Sequence, residues 1–165
     1  TQAPKKRKRV EDADDLIALD PGVRTFITGF SPEGTVEEIG TNTSKPLDKL
    51  LRRIDRTKRN IQEFDEAFPK PSTRKEKAKW RKARRRRRKA TRSAEDKSQR
   101  VVRDLHYKTA HYLLQRYRQV ILPTTSLHQW RKGRKLARCV KRRRQMLRLG
   151  AFSTRLMQTA TQYFK

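Results

Sequence analysis

The chain has 165 residues, of which 45 are Lys or Arg and 17 are Asp or Glu, so its formal net charge is +28. No run approaches the ~18 apolar residues of a membrane span, and no apolar segment follows the basic first residues, so we expect neither secretion nor membrane insertion. Cys139 is the single cysteine, which excludes an internal disulfide and a cysteine-rich zinc site. A chain this basic repels itself without a polyanion, and nucleic acid is the expected partner.

The basic residues run through segments that must also fold. From Leu105 to Lys165 there are 15 Lys and Arg and no acid, and residues 70–100 hold 16 basic residues against three acids. A basic tail attached to a neutral domain would concentrate its charge at one end instead. The distribution therefore predicts that folded surfaces, and not only a tail, contact the polyanion.

Residues 1–15 have no periodic apolar pattern and predict a disordered arm. A basic cluster follows Pro4 in this arm: Lys5, Lys6, Arg7, Lys8 and Arg9. Such clusters are typical of nuclear import signals, so we expect a nuclear location in a eukaryotic or viral host. In any other host we expect an intracellular location on nucleic acid. The alternative is a solvated arm that binds phosphates.

Three short strands are predicted after the arm. The apolar run 16–19 ends at Asp20 and a Pro-Gly turn, which is typical of a strand buried on both faces. Residues 23–30 and 35–39 have strand character, and the Ser-Pro-Glu-Gly segment 31–34 between them predicts a turn. Short strands joined by tight turns predict an antiparallel meander.

The remainder of the chain predicts helices and one further strand. Apolar residues at helical spacing predict a helix from Leu47 to Phe68, and a capping box at 73–76 starts a second helix that runs through the arginine cluster. We expect these two helices to form a basic hairpin over 46–100. Another helix is then predicted over 101–113, and a strand over 119–123. Two basic helical segments are expected within 131–163, with a break near Gly150.

Three stretches of sequence resemble a known family. Residues 17–26 (Ile-Ala-Leu-Asp-Pro-Gly-Val-Arg-Thr-Phe) and 28–34 (Thr-Gly-Phe-Ser-Pro-Glu-Gly) resemble the first RuvC motif of the transposon-encoded TnpB proteins and their Fanzor relatives. Residues 104–123 are similar to the helix and strand that follow in those proteins, and 146–164 are similar more loosely. The resemblance implies an α/β chain with the front part of an RNase H-like (RuvC-like) domain over 16–165, into which the basic hairpin is inserted.

The resemblance also implies a catalytic site, of which this chain carries one carboxylate. Members of the family are RNA-guided DNA endonucleases that hold Mg²⁺ on three carboxylates, and Asp20 matches the first. The second, a Glu in the family, falls on Thr125 or Ser126, and the third is not reached before Lys165. A hydroxyl brings no charge to balance Mg²⁺, so Asp20 alone should hold the metal weakly and the chain should not cleave by itself. The alternative for Asp20 is a strand-end residue that accepts backbone hydrogen bonds.

Other residues could complete a metal site only if the fold brings them close to Asp20. Three acids are available to approach Asp20, although nothing in their spacing argues for it: Glu37, Glu38 and Asp104. Three histidines have no second ligand at zinc spacing, so we expect no zinc: His106, His111 and His128.

Basic and aromatic residues predict contacts with phosphates and bases. Five successive arginines circle a helix, so several must point away from any core, which favours phosphate binding over a merely solvated face. Two tryptophans among basic residues are candidates for stacking on bases, with packing as the alternative. The predicted nucleic-acid-binding residues are Arg84, Arg85, Arg86, Arg87, Arg88, Lys89, Arg131, Lys132, Arg142, Arg143, Arg144, Trp80 and Trp130.

The sequence therefore predicts a protein that binds DNA or RNA, mostly through phosphates, as a fragment or degenerate relative of a TnpB or Fanzor nuclease. One alternative is an active endonuclease completed by a further C-terminal segment or by a partner, with a guide RNA as a further partner. A second alternative is a structural protein of a ribonucleoprotein particle. The absence of a Met at Thr1 favours a fragment.

Overall fold

The computed structural model describes residues 14–123 and 137–163, which form four strands and four helices. The strands are β1 (Asp14–Pro21), β2 (Ile27–Phe30), β3 (Val36–Ile39) and β4 (Tyr117–Ile121). The helices are α1 (Ser44–Ala67), α2 (Arg74–Arg116), α3 (Arg138–Leu147) and α4 (Leu149–Tyr163). The predicted α/β class is confirmed.

The four strands form one mixed sheet in the order β3-β2-β1-β4. The pairs β1–β2 and β2–β3 are antiparallel, which confirms the predicted meander. The turn between β2 and β3 is closed by a hydrogen bond from the Ser31 amide to the Thr35 carbonyl at 3.0 Å, and Gly34 takes a φ of 84° that other residues rarely adopt. The fourth strand pairs in parallel with β1, with Ala18 opposite Ile121.

One face of the sheet carries the core that α2 and α4 contact. Ile17, Leu19 and Ile27 are at most 4% exposed. Gly29 lies opposite Leu19, and a side chain there would collide with Ile17, so the glycine allows this close packing. Next to the sheet, His106 of α2 stacks on the Phe26 ring and meets Phe152 of α4 edge-on, with ring centroids 5.4 Å apart in both pairs.

Helix α2 corrects one prediction. The sequence predicted separate helices through the arginine cluster and over 101–113, but the structure has a single helix of 43 residues. The physical reason is that neither Gly nor Pro occurs between Arg74 and Arg116, so nothing interrupts the backbone hydrogen bonds. At 1.5 Å per residue the helix is about 65 Å long.

The C-terminal helices agree with the prediction except at their junction. Helices α3 and α4 are separated at Arg148, which adopts the left-handed conformation with φ 47° and ψ 54°, rather than at Gly150. Gly150 instead lies inside α4. The part of the predicted segment before position 137 lies outside the described residues.

The described chain divides into two compact units. One comprises the residues up to Ser44 together with those from Val102 onward, and the other comprises Lys45–Val101. The sequence placed an inserted hairpin at 46–100, and helix α2 contributes residues to both units. The predicted arm, apart from the backbone of residues 14–15 in β1, lies outside the described residues.

Candidate nucleic-acid interface

The hairpin unit contains α1 and the first part of α2, and each has a clear sequence origin. Leu47, Leu50, Ile54 and Phe64 are buried on one face of α1, at intervals of three, four and ten residues that keep them on one side of a helix. Proline residues at 69 and 71 follow α1 and prevent its continuation. The Glu76 amide then donates to the Thr73 hydroxyl at 3.4 Å, and that hydroxyl donates to the Glu76 carboxylate at 2.6 Å, which confirms the predicted capping contact at the start of α2.

Polar and aromatic contacts hold the two helices of this unit together. The Arg84 guanidinium donates three hydrogen bonds of 2.8, 3.1 and 2.8 Å to the carboxylate of Asp65 on α1. The hydrogen bond from Arg84 lowers the pKa of Asp65, because it stabilises the ionised form. The Arg87 guanidinium lies 4.0 Å from the centroid of the Phe64 ring. Two arginines of the cluster are therefore engaged within the protein.

The Trp80 indole also belongs to this contact. Its N–H donates to the Phe68 carbonyl at 2.8 Å, and its ring lies 6.2 Å from the Phe64 ring. The Arg84 guanidinium carbon lies over the Trp80 ring, 5.4 Å from its centroid. These contacts favour the packing interpretation of Trp80, although its side chain stays partly exposed at the edge of the surface described next.

A groove with a volume of about 970 Å³ runs along α2 and is called here the arginine groove. Its lining residues are Ile61, Trp80, Arg81, Lys82, Arg84, Arg85, Arg86, Arg88, Lys89, Thr91, Arg92 and Glu95. Eight of these twelve residues are basic, and Glu95 is the one acid. Glu95 forms an ion pair with Lys58 at 2.9 Å, so the charged side chains that line the groove are predominantly cationic.

Helical geometry divides the five consecutive arginines into two sets. Arg84 and Arg87 lie on the stripe that faces α1, whereas Arg85, Arg86 and Arg88 are exposed. The same stripe continues through small buried residues farther along α2: Thr91, Ala94, Ser98 and Val102. Steps of four, three and four residues back from Thr91 give positions 87, 84 and 80. The helical spacing of the small residues therefore indicated in the sequence which arginines face inward, and the prediction did not use this signal.

Other predicted contact residues lie elsewhere or outside the described part. Arg142, Arg143 and Arg144 on α3 are only partly exposed, each takes part in a polar or ring interaction, and burial lowers the pKa of Arg144. They belong to the other unit and not to the arginine groove. Five residues singled out in the second half of the sequence lie outside the described residues: Thr125, Ser126, Trp130, Arg131 and Lys132.

Asp20 lies exposed near the carboxyl end of β1. Since β1 and β4 are parallel, the chain leaves β4 at the same edge of the sheet, immediately before the Thr125/Ser126 position. Thr28 of β2 lies opposite both Asp20 and Glu38, so the three residues are on the same face of the sheet. Asp20 and Glu38 are two strand spacings apart, which is about 10 Å. Within the described residues, no group of three His, Cys, Asp or Glu side chains comes close enough to hold a metal ion.

The other two acids that the sequence offered as partners of Asp20 have partners of their own. Tyr112 donates to the Glu37 carboxylate at 3.1 Å, and the Arg116 guanidinium lies 3.6 Å from the same oxygen. Asp104 forms an ion pair with Lys108 at 2.8 Å. The described donors around Asp20 therefore do not form a Mg²⁺ site of the two-metal type.

Two histidines have structural partners. The His106 Nε2–H donates to the Leu147 carbonyl at 2.8 Å in the core, and burial lowers the pKa of His106. A hydrogen bond of 3.0 Å joins His111 Nδ1 and the Tyr163 hydroxyl. His128 lies outside the described residues, and Cys139 is exposed on α3.

The described residues define an α/β protein with a mixed sheet and a strongly basic helical hairpin. Across residues 14–123 and 137–163, no helix has both the length and the apolar character needed to cross a bilayer. No protein-family model matches the chain. The chain is similar to Putative transposase R186 of Acanthamoeba polyphaga mimivirus, with 30% identity over 146 residues. This alignment covers 88% of the chain but only 28% of the mimivirus protein, and it supports a transposase-like relationship.

Proposed function

We propose that this chain is the nucleic-acid-binding part of a transposase-related protein and that the arginine groove is its main phosphate-binding surface. The observation that carries this proposal is the cationic lining of the groove, with Arg85, Arg86 and Arg88 exposed beside a helix pair held together by Arg84 and Asp65. Cations fixed on a rigid helix release the counterions of a polyanion, with little cost in ordering the protein.

The geometry favours contact with the backbone of DNA or RNA over reading of base edges. Arg81, Arg85, Arg88 and Arg92 recur at intervals of four, three and four residues, so they form one ridge about 16 Å long on α2. Cations in such a row match successive phosphates, and phosphate contacts carry little sequence information. We therefore expect affinity for many sequences and a strong dependence on salt.

We further propose that the sheet unit is the front part of an RNase H-like domain of the TnpB and Fanzor type. Three antiparallel strands followed by a parallel fourth strand beside the first support this assignment, as does an acid near the end of β1. The similarity to a protein named as a transposase supports it also. Asp20 is the one described residue that matches a Mg²⁺ ligand of that family, and the described donors around it do not complete the site.

The test compares two triple variants with equal loss of charge. Arg85→Gln, Arg86→Gln and Arg88→Gln remove three cations from the groove, whereas Arg52→Gln, Arg53→Gln and Arg56→Gln remove three exposed cations from α1 in the same unit. Fluorescence anisotropy with a labelled DNA duplex and a labelled single-stranded RNA, between about 50 and 200 mM salt, measures affinity and its salt slope.

If about 6 to 10 phosphates are contacted, wild-type affinity for duplex DNA should fall about 10³- to 10⁵-fold across that range. The groove variant should lower the salt slope by up to about 0.9 for each lost phosphate contact, and clearly more than the control variant. Equal effects of the two variants would contradict the groove as the binding surface. Affinity that does not respond to salt would contradict the proposed function itself.

A further inference from the structure

The turn of the hairpin presents an aromatic ring at one end of the arginine groove. Phe68 directly follows α1 and is 60% exposed, although its residue type favours burial. Its carbonyl accepts the hydrogen bond from the Trp80 indole, and Trp80 is the first residue of α2 that lines the groove. Phe68 therefore lies at the end of the groove that is nearest the start of α2.

Several contacts fix Phe68 in this exposed position. Its amide donates to the Phe64 carbonyl at 2.9 Å, and the centroids of the two phenylalanine rings are 5.4 Å apart. Its carbonyl lies 2.8 Å from the Trp80 indole nitrogen, and Pro69 restricts the backbone that follows. A ring that is held in place before binding loses little conformational freedom when a ligand covers it. The Phe68 ring is therefore preorganised for a stacking contact.

The charges around this ring favour an anionic partner. Residues 69–82 carry seven Lys and Arg and a single acid. On α1, helical geometry places Glu63 and Glu66 on the side away from Phe64, and the Asp65 carboxylate is neutralised by the arginine that it binds. An aromatic ring among cations suits a polyanion that carries flat rings of its own, which is the chemistry of a nucleic acid.

We propose that Phe68 stacks on an exposed base at the end of a duplex whose phosphates lie along the arginine groove. This inference rests on the proposed function and names the kind of nucleic acid: one with a duplex end, or with a junction between duplex and single strand. Inside a continuous duplex each base pair is covered on both faces, so a side chain reaches a base face there only by unstacking its neighbour. At an end or a junction the face is already open.

The dimensions of the groove agree with this arrangement. The ridge of Arg81, Arg85, Arg88 and Arg92 extends about 16 Å along α2, away from Phe68. Phosphates of one strand follow at intervals of about 3.4 Å along the duplex axis, so the ridge spans about five nucleotides. Since every base has a π face, stacking adds a preference for ends without adding a preference for sequence.

The first experiment uses the whole chain and a DNA duplex of about 20 base pairs, or about two helical turns. The duplex carries 2-aminopurine, a base analogue whose fluorescence reports stacking, at the terminal pair or at a central pair. We expect the wild type to change the fluorescence of the terminal probe much more than that of the central probe, and Phe68→Ala to abolish this difference. A second duplex with a single-stranded overhang, probed at its first unpaired base, shows whether Phe68 prefers a junction or a blunt end.

The second experiment measures affinity by competition. The competitors are a closed circular DNA and the same DNA cut into short fragments, at equal nucleotide concentration. Stacking on one base strengthens binding at an end by about 5- to 150-fold over binding at an internal position. The fragments should therefore compete better than the circle, Phe68→Ala should bring the two toward equality, and Phe68→Trp, which keeps a ring, should retain the difference.

Two further variants separate stacking from a structural role. Phe30→Ala is the matched control, because Phe30 is 48% exposed but lies on β2, outside the hairpin. It should leave the preference for ends unchanged. Phe68→Leu keeps an apolar contact with Phe64 but removes the flat face, so it should lose the preference as Phe68→Ala does.

Three results would overturn the inference: a wild type without preference for ends, a preference that Phe68→Leu retains in full, or an equal loss in Phe30→Ala. The groove variant Arg85→Gln, Arg86→Gln and Arg88→Gln should weaken binding to fragments and circle alike, because its lost contacts are to phosphates. If that variant binds as the α1 control variant does, the proposed function fails. If it loses affinity while Phe68→Leu still prefers ends, only the stacking inference fails.

Discussion

The buried His106 predicts that the protein loses stability in mild acid. This side chain is 3% exposed, stacks on Phe26, and donates its Nε2–H to the Leu147 carbonyl. Burial is the largest cause that lowers its pKa, the positive charges of Arg155 and Arg148 lower it further, and the hydrogen bond to Leu147 opposes them. The folded protein therefore disfavours protonation of the ring relative to the unfolded chain.

The direction of the pH effect follows from this difference. Above the ordinary histidine pKa of about 6.5, neither state binds the proton, and the full stability is present. As the pH falls below that value the unfolded chain takes up a proton first, so the free energy of unfolding decreases until the lowered pKa of the folded state is passed. One proton corresponds to a slope of at most about 1.4 kcal/mol per pH unit in this window.

Urea denaturation followed by circular dichroism between about pH 5 and 8 measures the slope. His106→Gln keeps an amide donor near the Leu147 carbonyl but does not titrate, so its stability should be lower at neutral pH and should change less with pH. His111→Gln is the matched control, because it makes the same exchange at a partly exposed histidine of the same helix. Equal pH slopes for wild type and His106→Gln, or a gain of wild-type stability in acid, would refute the reasoning.

Four further outcomes are expected. Asp65→Arg should increase amide hydrogen exchange across Lys45–Val101 by breaking the contact to Arg84, and the exchanged pair Asp65→Arg with Arg84→Asp should restore protection, which a purely local effect would not do. Gly34→Ala should lower the free energy of unfolding by roughly 1 kcal/mol because of its positive φ alone, since its surroundings are open, whereas Gly34→Asn should cost less in the same denaturation assay. A fluorescent reporter fused to residues 4–10 should enter the nucleus of a eukaryotic cell, and replacing its basic residues by Ala should keep it in the cytoplasm. Purified chain with Mg²⁺ or Mn²⁺ should not cleave DNA, because Asp20 lacks partner carboxylates among the described residues; cleavage that Asp20→Ala abolishes would contradict this.

Local structure was readable from the sequence wherever a short segment determines it. The Ser-Pro-Glu-Gly turn, the meander around it and the Thr73–Glu76 capping contact all follow from turn chemistry and spacing within a few residues. The strong positive charge of the hairpin was equally plain. These features need no knowledge of distant parts of the chain.

Two features depended on the tertiary structure. The parallel pairing of β4 with β1 joins segments about 100 residues apart, and no local pattern specifies such a partner. The helical stripe through residues 91–102 indicates which arginines face inward, but only the position of α1 shows that Arg84 meets the carboxylate of Asp65. A run of identical residues has no periodicity of its own, so composition determines that the helix is basic, while packing against a neighbouring helix decides which of its cations remain free to meet a ligand.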